Sequence, residues 1–269
     1  MRTGTRRLVP FFCAPLLAMG LALAPAHADD KTGKKEEKKP EPPRVVVTLP
    51  LVVKTGTTNK IVLRGLNLTN VTELHFTNEA VRADIVLGKK TKAEVPKESD
   101  AKKVGDTQIA AEIFLPVDTI AGTNWFTLAS PDGVSEPRPL VFLPAGELSE
   151  EKEPNGGFRE AQSLSIGQTM CGTIKEAGDV DVFRFEGAAG QMIRLEVFAA
   201  AAGSALDSLI TLYDAKGRRL ASNDDARDGR DSFLETMLVA AGPHYISVMD
   251  ANDKAGPTHV YLLRVFSGR

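Results

Sequence analysis

The chain has 269 residues, 42% apolar and 25% charged, so it can bury a core in one large or two ordinary domains. Its formal net charge is -2 at pH 7, and removing the first 28 residues, which hold three arginines and no acid, makes it more acidic. Binding to nucleic acid rests on Lys and Arg neutralising phosphates, so this balance excludes it as the main function.

Residues 1–28 predict a secretory signal peptide. Arg2, Arg6 and Arg7 precede an apolar run from Leu8 to Leu23, and Ala26-His27-Ala28 supplies the small residues of a cleavage site. The run is short and contains prolines, which disfavours a membrane anchor. We therefore expect cleavage after Ala28 and a secreted, periplasmic or cell-envelope protein with no membrane span in its mature form. The export route stays open.

Residues 29–43 are predicted to be a disordered tether. The segment alternates charged residues and prolines and has almost no apolar side chain to offset chain entropy.

From residue 44 to 146 the sequence predicts a first β-sandwich domain. Short β-rich runs alternate with Gly, Asn and Pro-Asp-Gly turn signals, and about seven strands in about a hundred residues are typical of a small sandwich. The predicted strands are 45–49, 60–64, 71–76, 82–87, 107–114, 124–130 and 139–143.

Two phrases in this region resemble the IPT/TIG immunoglobulin-like family over residues 44–144. They are Gly65-Leu66-Asn67-Leu68, after a core strand, and Pro131-Asp132-Gly133-Val134-Ser135, before the last strand. The resemblance implies an immunoglobulin-like spacer or binding module and no chemistry.

The segment Gly88–Gly105 carries six lysines among three acids. It predicts a long solvated hairpin loop. The alternative is a docking loop for an acidic partner.

Residues 147–269 predict a second β-sandwich of the jelly-roll type, which makes the whole fold all-β with two tandem sandwiches. Apolar residues alternate along each predicted strand; in 191–198, for example, Ile193, Leu195 and Val197 share one face. The predicted strands are 169–174, 181–186, 191–198, 209–213, 219–222, 232–240, 244–249 and 259–266.

The second region resembles the bacterial pre-peptidase C-terminal (PPC) domain family over residues 150–268. The matching phrases are Glu153-Pro154-Asn155, Gly178-Asp179-Val180-Asp181-Val182-Phe183, Leu206-Asp207-Ser208-Leu209 and Ala241-Gly242-Pro243-His244-Tyr245. The resemblance implies a secreted β-sandwich appended to proteases or other exported enzymes, with collagen-binding relatives among clostridial collagenases. The residues before it in this sequence predict a β-sandwich and no protease domain.

An acidic joint between the two regions predicts a metal site. In an extended segment, residues two apart point the same way, so Glu151, Glu153 and Asn155 would offer oxygens on one side, and Asp179 and Asp181 repeat the spacing. If the two segments meet, five side chains supply oxygens to a hard cation, and Ca²⁺ takes six to eight such ligands. The calcium-binding collagen-binding relatives carry such a joint. The sequence departs from them at Gly156, where another polar ligand is expected, and the alternative is that Asp179 caps a turn beside solvated glutamates.

The sequence signals for other metal or catalytic sites are weaker than that of the acidic joint. The acidic residues Asp207, Asp224, Asp225, Asp228 and Asp231 do not match an EF-hand loop and predict structural turns. Cys171 predicts a buried, inert thiol. The mature histidines, His75, His244 and His259, form no zinc motif, and no nucleophile elbow, P-loop or dinucleotide fingerprint occurs.

We therefore predict a non-catalytic binding or accessory protein that recognises an extracellular or envelope protein or polysaccharide, with Ca²⁺ ordering the interdomain joint. The alternatives are a structural spacer of the cell envelope, an accessory component of an exported hydrolase or protease, and a hydrolase.

Overall fold

The computed structural model describes residues 40–97, 99–226 and 229–268. Residues 44–144 form two sheets, and residues 148–267 form two more. The predicted signal peptide and most of the predicted tether lie outside the described residues. At the end of the tether, Pro43 is buried and the Asn67 amide donates to the Pro42 carbonyl, so the chain is already held against the first sandwich there.

Short strands build the first sandwich, with one four-residue helix between the fifth and sixth. The elements are β1 (Arg44–Leu49), β2 (Val52–Thr55), β3 (Thr57–Leu66), β4 (Glu73–Phe76), β5 (Asp84–Lys92), α1 (Ala101–Val104), β6 (Thr107–Leu115), β7 (Gly122–Ser130), β8 (Gly133–Val134) and β9 (Arg138–Pro144). One sheet has the order β1-β3-β6-β5, and the other has the order β2-β9-β7-β4 with β8 beside β7.

The second sandwich follows a short 3-10 turn at Ala145–Glu147. Its strands are β10 (Leu148–Glu150), β11 (Gln162–Ser163), β12 (Thr169–Thr173), β13 (Asp181–Gly187), β14 (Met192–Phe198), β15 (Ser208–Tyr213), β16 (Arg219–Asn223), β17 (Phe233–Met237), β18 (Gly242–Asp250) and β19 (Val260–Ser267). A 3-10 turn at Ala200–Ala202 follows β14. The sheet orders are β10-β12-β19-β14-β17 and β11-β13-β18-β15-β16. The predicted all-β fold is confirmed.

Alternation along the strands fills both cores. Phe126 is fully buried in the first sandwich, whereas its neighbour Trp125 is 47% exposed, as expected for successive strand residues. In the second, Phe183, Phe185 and Tyr261 face inward together. Full burial of each such side chain contributes about 1.5–3 kcal/mol.

The predicted loop over residues 88–105 is wrong at its start. β5 continues to Lys92 through an irregularity between Leu87 and Lys90, because β6 is long enough to pair with it as far as Thr107. The remainder ends in α1, where the Asp100 carboxylate accepts the Lys102 N–H.

A third apolar cluster joins the two sandwiches. Val47, Leu51 and Val141 from the first pack with Ala202 and Leu262 from the second. Arg138 reinforces the contact: its Nη2 donates to the Val46 carbonyl at 2.6 Å and to the Ala202 carbonyl at 3.3 Å.

Candidate metal centre

The acidic joint spans the two sheets of the second sandwich. Glu151 follows β10, and its N–H donates to the Cys171 carbonyl of β12. Four residues later, the Asn155 carbonyl accepts the Val182 N–H of β13 in the opposite sheet. The segment 151–155 therefore closes one end of this sandwich, and its side chains meet the turn that leads into β13.

Three carboxylates meet at this end. One oxygen each from Glu153, Asp179 and Asp181 lies within 4.8 Å of the others, a separation that can hold a metal ion. Within the described part of the chain, this is the one group of three or more such side chains that could hold a metal ion. Glu153 is exposed, Asp179 is half-buried and Asp181 is fully buried, so the cluster runs from the surface inward.

Asp181 sits at the buried floor of the cluster. Its Oδ2 accepts the Tyr261 hydroxyl at 2.6 Å, whereas its Oδ1 has no hydrogen-bond partner among the described residues. The pKa of Asp181 is raised to about 8, chiefly by burial and also by the charges of Glu151 and Asp179, although the Tyr261 hydrogen bond lowers it. A charged carboxylate at this position therefore needs a cation or further donors.

Asn155 lies beside Asp181 and also has buried polar atoms without hydrogen-bond partners. Its side chain is fully buried, and neither Oδ1 nor Nδ2 has a hydrogen-bond partner among the described residues. The amide is close enough to lower the pKa of Asp181, but the two side chains do not form a hydrogen bond. A buried amide without partners costs about 1–3 kcal/mol, which an oxygen-seeking ion would offset.

Glu151 forms the inner wall. Its side chain is only 8% exposed, and its Oε2 accepts the Thr173 N–H at 2.9 Å. A Cβ at Gly172 would overlap the Tyr261 ring, so glycine is required where the tyrosine and the glutamate close over β12.

Lys175 is a member of the site that the sequence patterns did not reveal. Its ammonium lies 2.6 Å from Glu151 Oε1 and 2.9 Å from Glu153 Oε1. Partial burial lowers the pKa of Lys175, but the hydrogen bonds and charges of the two glutamates outweigh it and raise the pKa above its ordinary value. The lysine thus serves as an internal counter-ion on the solvent side of the cluster.

Of the five predicted residues, the structure groups the carboxylates of Glu153, Asp179 and Asp181, with Asn155 beside Asp181. The Glu151 carboxylate is not part of that group and is held by Lys175 and the Thr173 N–H. The sequence left two roles open for Asp179, a turn cap and a metal ligand. Its Oδ2 caps the turn by accepting the Lys175 N–H at 2.7 Å. The same residue also belongs to the carboxylate group that could hold a metal ion. At Gly156, a Cβ would meet only the Val180 carbonyl, so no further ligand comes from this position.

The donor set is made of hard oxygens. Carboxylate and amide oxygens suit Ca²⁺ or Mg²⁺ better than softer metals, and no histidine or cysteine belongs to the group. The described residues can therefore hold a hard divalent cation.

Two carboxylates of the second acidic cluster, those of Asp231 and Asp207, have structural hydrogen bonds. Asp231 accepts the N–H groups of Ala199, Ala200 and Ala201. Asp207 accepts the Asn252 amide. Asp228 lies outside the described residues.

The Cys171 thiol is partly buried in the apolar cluster between the sandwiches. Burial raises its pKa to about 12, which agrees with the prediction of an inert thiol.

No family model matches the chain. The chain is 40% identical over 141 residues to a probable subtilase-type serine protease from Deinococcus radiodurans. The match covers 50% of this chain, and the chain spans 19% of that protease's length.

Two solved structures are similar to parts of the chain. The chain is similar to the pre-peptidase C-terminal domain of a collagenase from Bacillus anthracis, at 20% identity and a TM-score of 0.32, over 43% of this chain and 99% of that one. It is also similar to a Bacteroides ovatus protein of a mixed-linkage glucan utilization locus, solved with a heptasaccharide, at 11% identity and a TM-score of 0.27, over 78% of this chain and 74% of that one. The chain thus resembles a pre-peptidase C-terminal domain, as its motifs predicted, while the IPT/TIG resemblance of residues 44–144 stays a prediction. Within the described residues, no helix is long and apolar enough to cross a membrane.

Proposed function

We propose that this chain is an exported, non-catalytic binding or accessory protein whose joint between the sandwiches is ordered by Ca²⁺. The observation that carries the cation part is a pair of buried oxygens, Asn155 Oδ1 and Asp181 Oδ1, that have no hydrogen-bond partner among the described residues and lie beside the carboxylates of Glu153 and Asp179. A cation would supply the missing interaction of both oxygens.

Calcium suits this geometry because its coordination is flexible and tolerates carbonyls and waters beside carboxylates. Glu151, Glu153, Asn155, Asp179 and Asp181 are the proposed ligands. Binding releases Lys175 from the glutamates and replaces one positive charge with two. The joint between β10 and β13 then becomes more rigid, which fixes the end of the second sandwich that faces the first.

Recognition of a partner is the second part of the proposal. Half of the chain matches a part of a much longer subtilase-type protease, which favours an accessory module of exported enzymes. We propose an extracellular or envelope protein or polysaccharide as the partner, bound by a sandwich face or edge. A pure spacer and a hydrolase are the competing functions.

Retention on immobilised matrices separates these functions. The chain lacking residues 1–28 is passed over collagen, insoluble polysaccharides and envelope fractions, in calcium and in a chelator. Retention on one class of matrix, stronger in calcium, supports the proposal; passage through every matrix favours the spacer. Hydrolysis of peptide or ester substrates that persists when the protein is purified further would contradict the non-catalytic assignment.

A further inference from the structure

A basic cavity lies where the two sandwiches meet, and its lining shares no residue with the acidic cluster. It has a volume of about 760 Å³. Residues of β1, α1 and β9 form one side, and the loops around Gly203, Arg230 and Lys254 form the other. Its six basic residues are Arg44, Lys102, Lys103, Arg138, Arg230 and Lys254.

The charge of this cavity is not balanced by the described residues. Asp100 is the one carboxylate among the lining residues, against six basic side chains, and it also caps α1 by accepting the Lys102 N–H. None of the six basic side chains lies within 4 Å of a carboxylate in the described part of the chain. His259 also lines the cavity, and burial lowers its pKa, so it adds no charge at neutral pH.

Three guanidinium groups are held in place by neutral acceptors. Arg44 donates to the Lys102 carbonyl, Arg138 to the Val46 and Ala202 carbonyls, and Arg230 to the Ala205 carbonyl. These bonds orient the groups but leave their charge uncompensated, and each guanidinium keeps further N–H donors. Arg138 Nε and His259 Nδ1 are buried without a hydrogen-bond partner among the described residues.

Such a concentration of positive charge opposes the sign of the whole chain, whose net charge is -2. Burial and the nearby charge of Arg44 lower the pKa of Arg138, so an anion beside these two guanidinium groups would be stabilising. Guanidinium forks match the paired oxygens of phosphate and sulfate groups, and lysine ammoniums add point charges. The cavity volume falls within the range of small-ligand sites, roughly 300–1,000 Å³.

We propose that this cavity binds a multivalent oxyanion of the phosphate or sulfate class and thereby bridges the two sandwiches. The lysine-rich segment after β5 acquires a role in this way, because its last turn, α1, supplies Lys102 and Lys103. The site is independent of the acidic cluster and holds whether or not that cluster takes up calcium.

Calorimetry with inorganic pyrophosphate and tripolyphosphate tests the site, with inorganic phosphate as the low-charge comparison. The titrations are run in a chelator, so failure of the calcium proposal cannot affect them. The chain should bind both probes, more tightly with increasing anion charge and more weakly with salt. Lys102→Gln with Arg230→Gln, one change in each sandwich, should weaken pyrophosphate binding at least about ten-fold.

The matched control is Lys89→Gln with Arg159→Gln. It removes the same types of charge, one from each sandwich, at exposed positions outside the cavity, and should bind like the parent. Pyrophosphate binding that is absent in the parent, or equally weakened in both double variants, would overturn the site. Binding of long sulfated polysaccharides without binding of pyrophosphate would also overturn it, because it would indicate a diffuse surface effect.

Discussion

The Tyr261 hydroxyl donates a hydrogen bond of 2.6 Å to Asp181 Oδ2, while Oδ1 of the same carboxylate has no partner among the described residues. The tyrosine is fully buried, and burial together with the Asp181 charge raises its pKa well above the ordinary value. The hydroxyl therefore stays a donor and holds one oxygen of the carboxylate, while the other oxygen is buried without a partner among the described residues. This pair fixes the floor of the proposed cation site.

Replacing Tyr261 by Phe should destabilise the protein by about 1–3 kcal/mol, because a buried carboxylate loses its donor. The pKa of Asp181 should rise further, since the hydrogen bond lowers it. Urea unfolding in a chelator measures the loss. Tyr245→Phe is the matched control: it is half-buried, and its hydroxyl makes no hydrogen bond within the described ranges. Equal stability of the two variants would contradict this role of Tyr261.

Without a metal, stability should fall with rising pH through the titration of Asp181. The pKa of Asp181 in the folded protein is about 8, against an ordinary value of 3.8. Between these values the folded state holds a proton that the unfolded state has released, so the free energy of unfolding decreases as pH rises. The contribution of Asp181 protonation to stability is fully present below pH 3.8 and is lost as the pH rises through the folded-state pKa of about 8.

The comparison of parent and Asp181→Asn isolates that group. Other titrations, including that of His259, are common to both proteins and cancel in the difference. Urea unfolding from about pH 5 to about pH 8 in a chelator should show the parent losing stability relative to the variant. A difference that does not change with pH would contradict the raised pKa.

Lys175→Met should have opposite effects on stability and on calcium affinity. Without metal, it leaves the nearly buried Glu151 carboxylate without its counter-ion and should lower stability by about 1–3 kcal/mol. Calcium no longer displaces the ammonium, so affinity should rise about five-fold, which corresponds to ~1 kcal/mol. Lys89→Met is the control, because that exposed lysine lies in β5 of the first sandwich, outside the carboxylate cluster. Weaker calcium binding in Lys175→Met would show that the lysine supports the site instead of competing with the ion.

The sequence predicted most strands and the clustered carboxylates, but it did not predict the side chains that contact those carboxylates. Alternation made the inward faces of β14 and β19 readable, and the two-residue spacing singled out Glu153, Asp179 and Asp181. Lys175 and Tyr261 escaped notice because their contacts depend on how β12 and β19 are paired, which no local pattern records. Short strands such as β2 and β11 were missed because they are too short to show alternation.

The contact between the sandwiches should be sensitive at Gly203. This residue has a φ of +88°, and a Cβ there would overlap the Val46 carbonyl oxygen and the Arg138 guanidinium. Gly203→Ala should cost about 1–2 kcal/mol for the left-handed backbone and about 1–3 kcal/mol more for the overlap. Gly190→Ala is the matched control, since its φ is +78° and no atom lies within 4 Å of the added Cβ. Thermal unfolding of both variants measures the difference, and equal melting temperatures would contradict the tight contact.

Calorimetric titration with Ca²⁺ tests the account most directly. The chain lacking residues 1–28 should bind one ion, with a dissociation constant on the order of 10⁻⁴–10⁻³ M, typical of extracellular modules. Asp181→Asn should abolish the heat, while Asp118→Asn, an exposed change outside the cluster, should leave it intact. Absence of heat in the parent, or equal heat in parent and Asp181→Asn, would contradict a cation site at this joint.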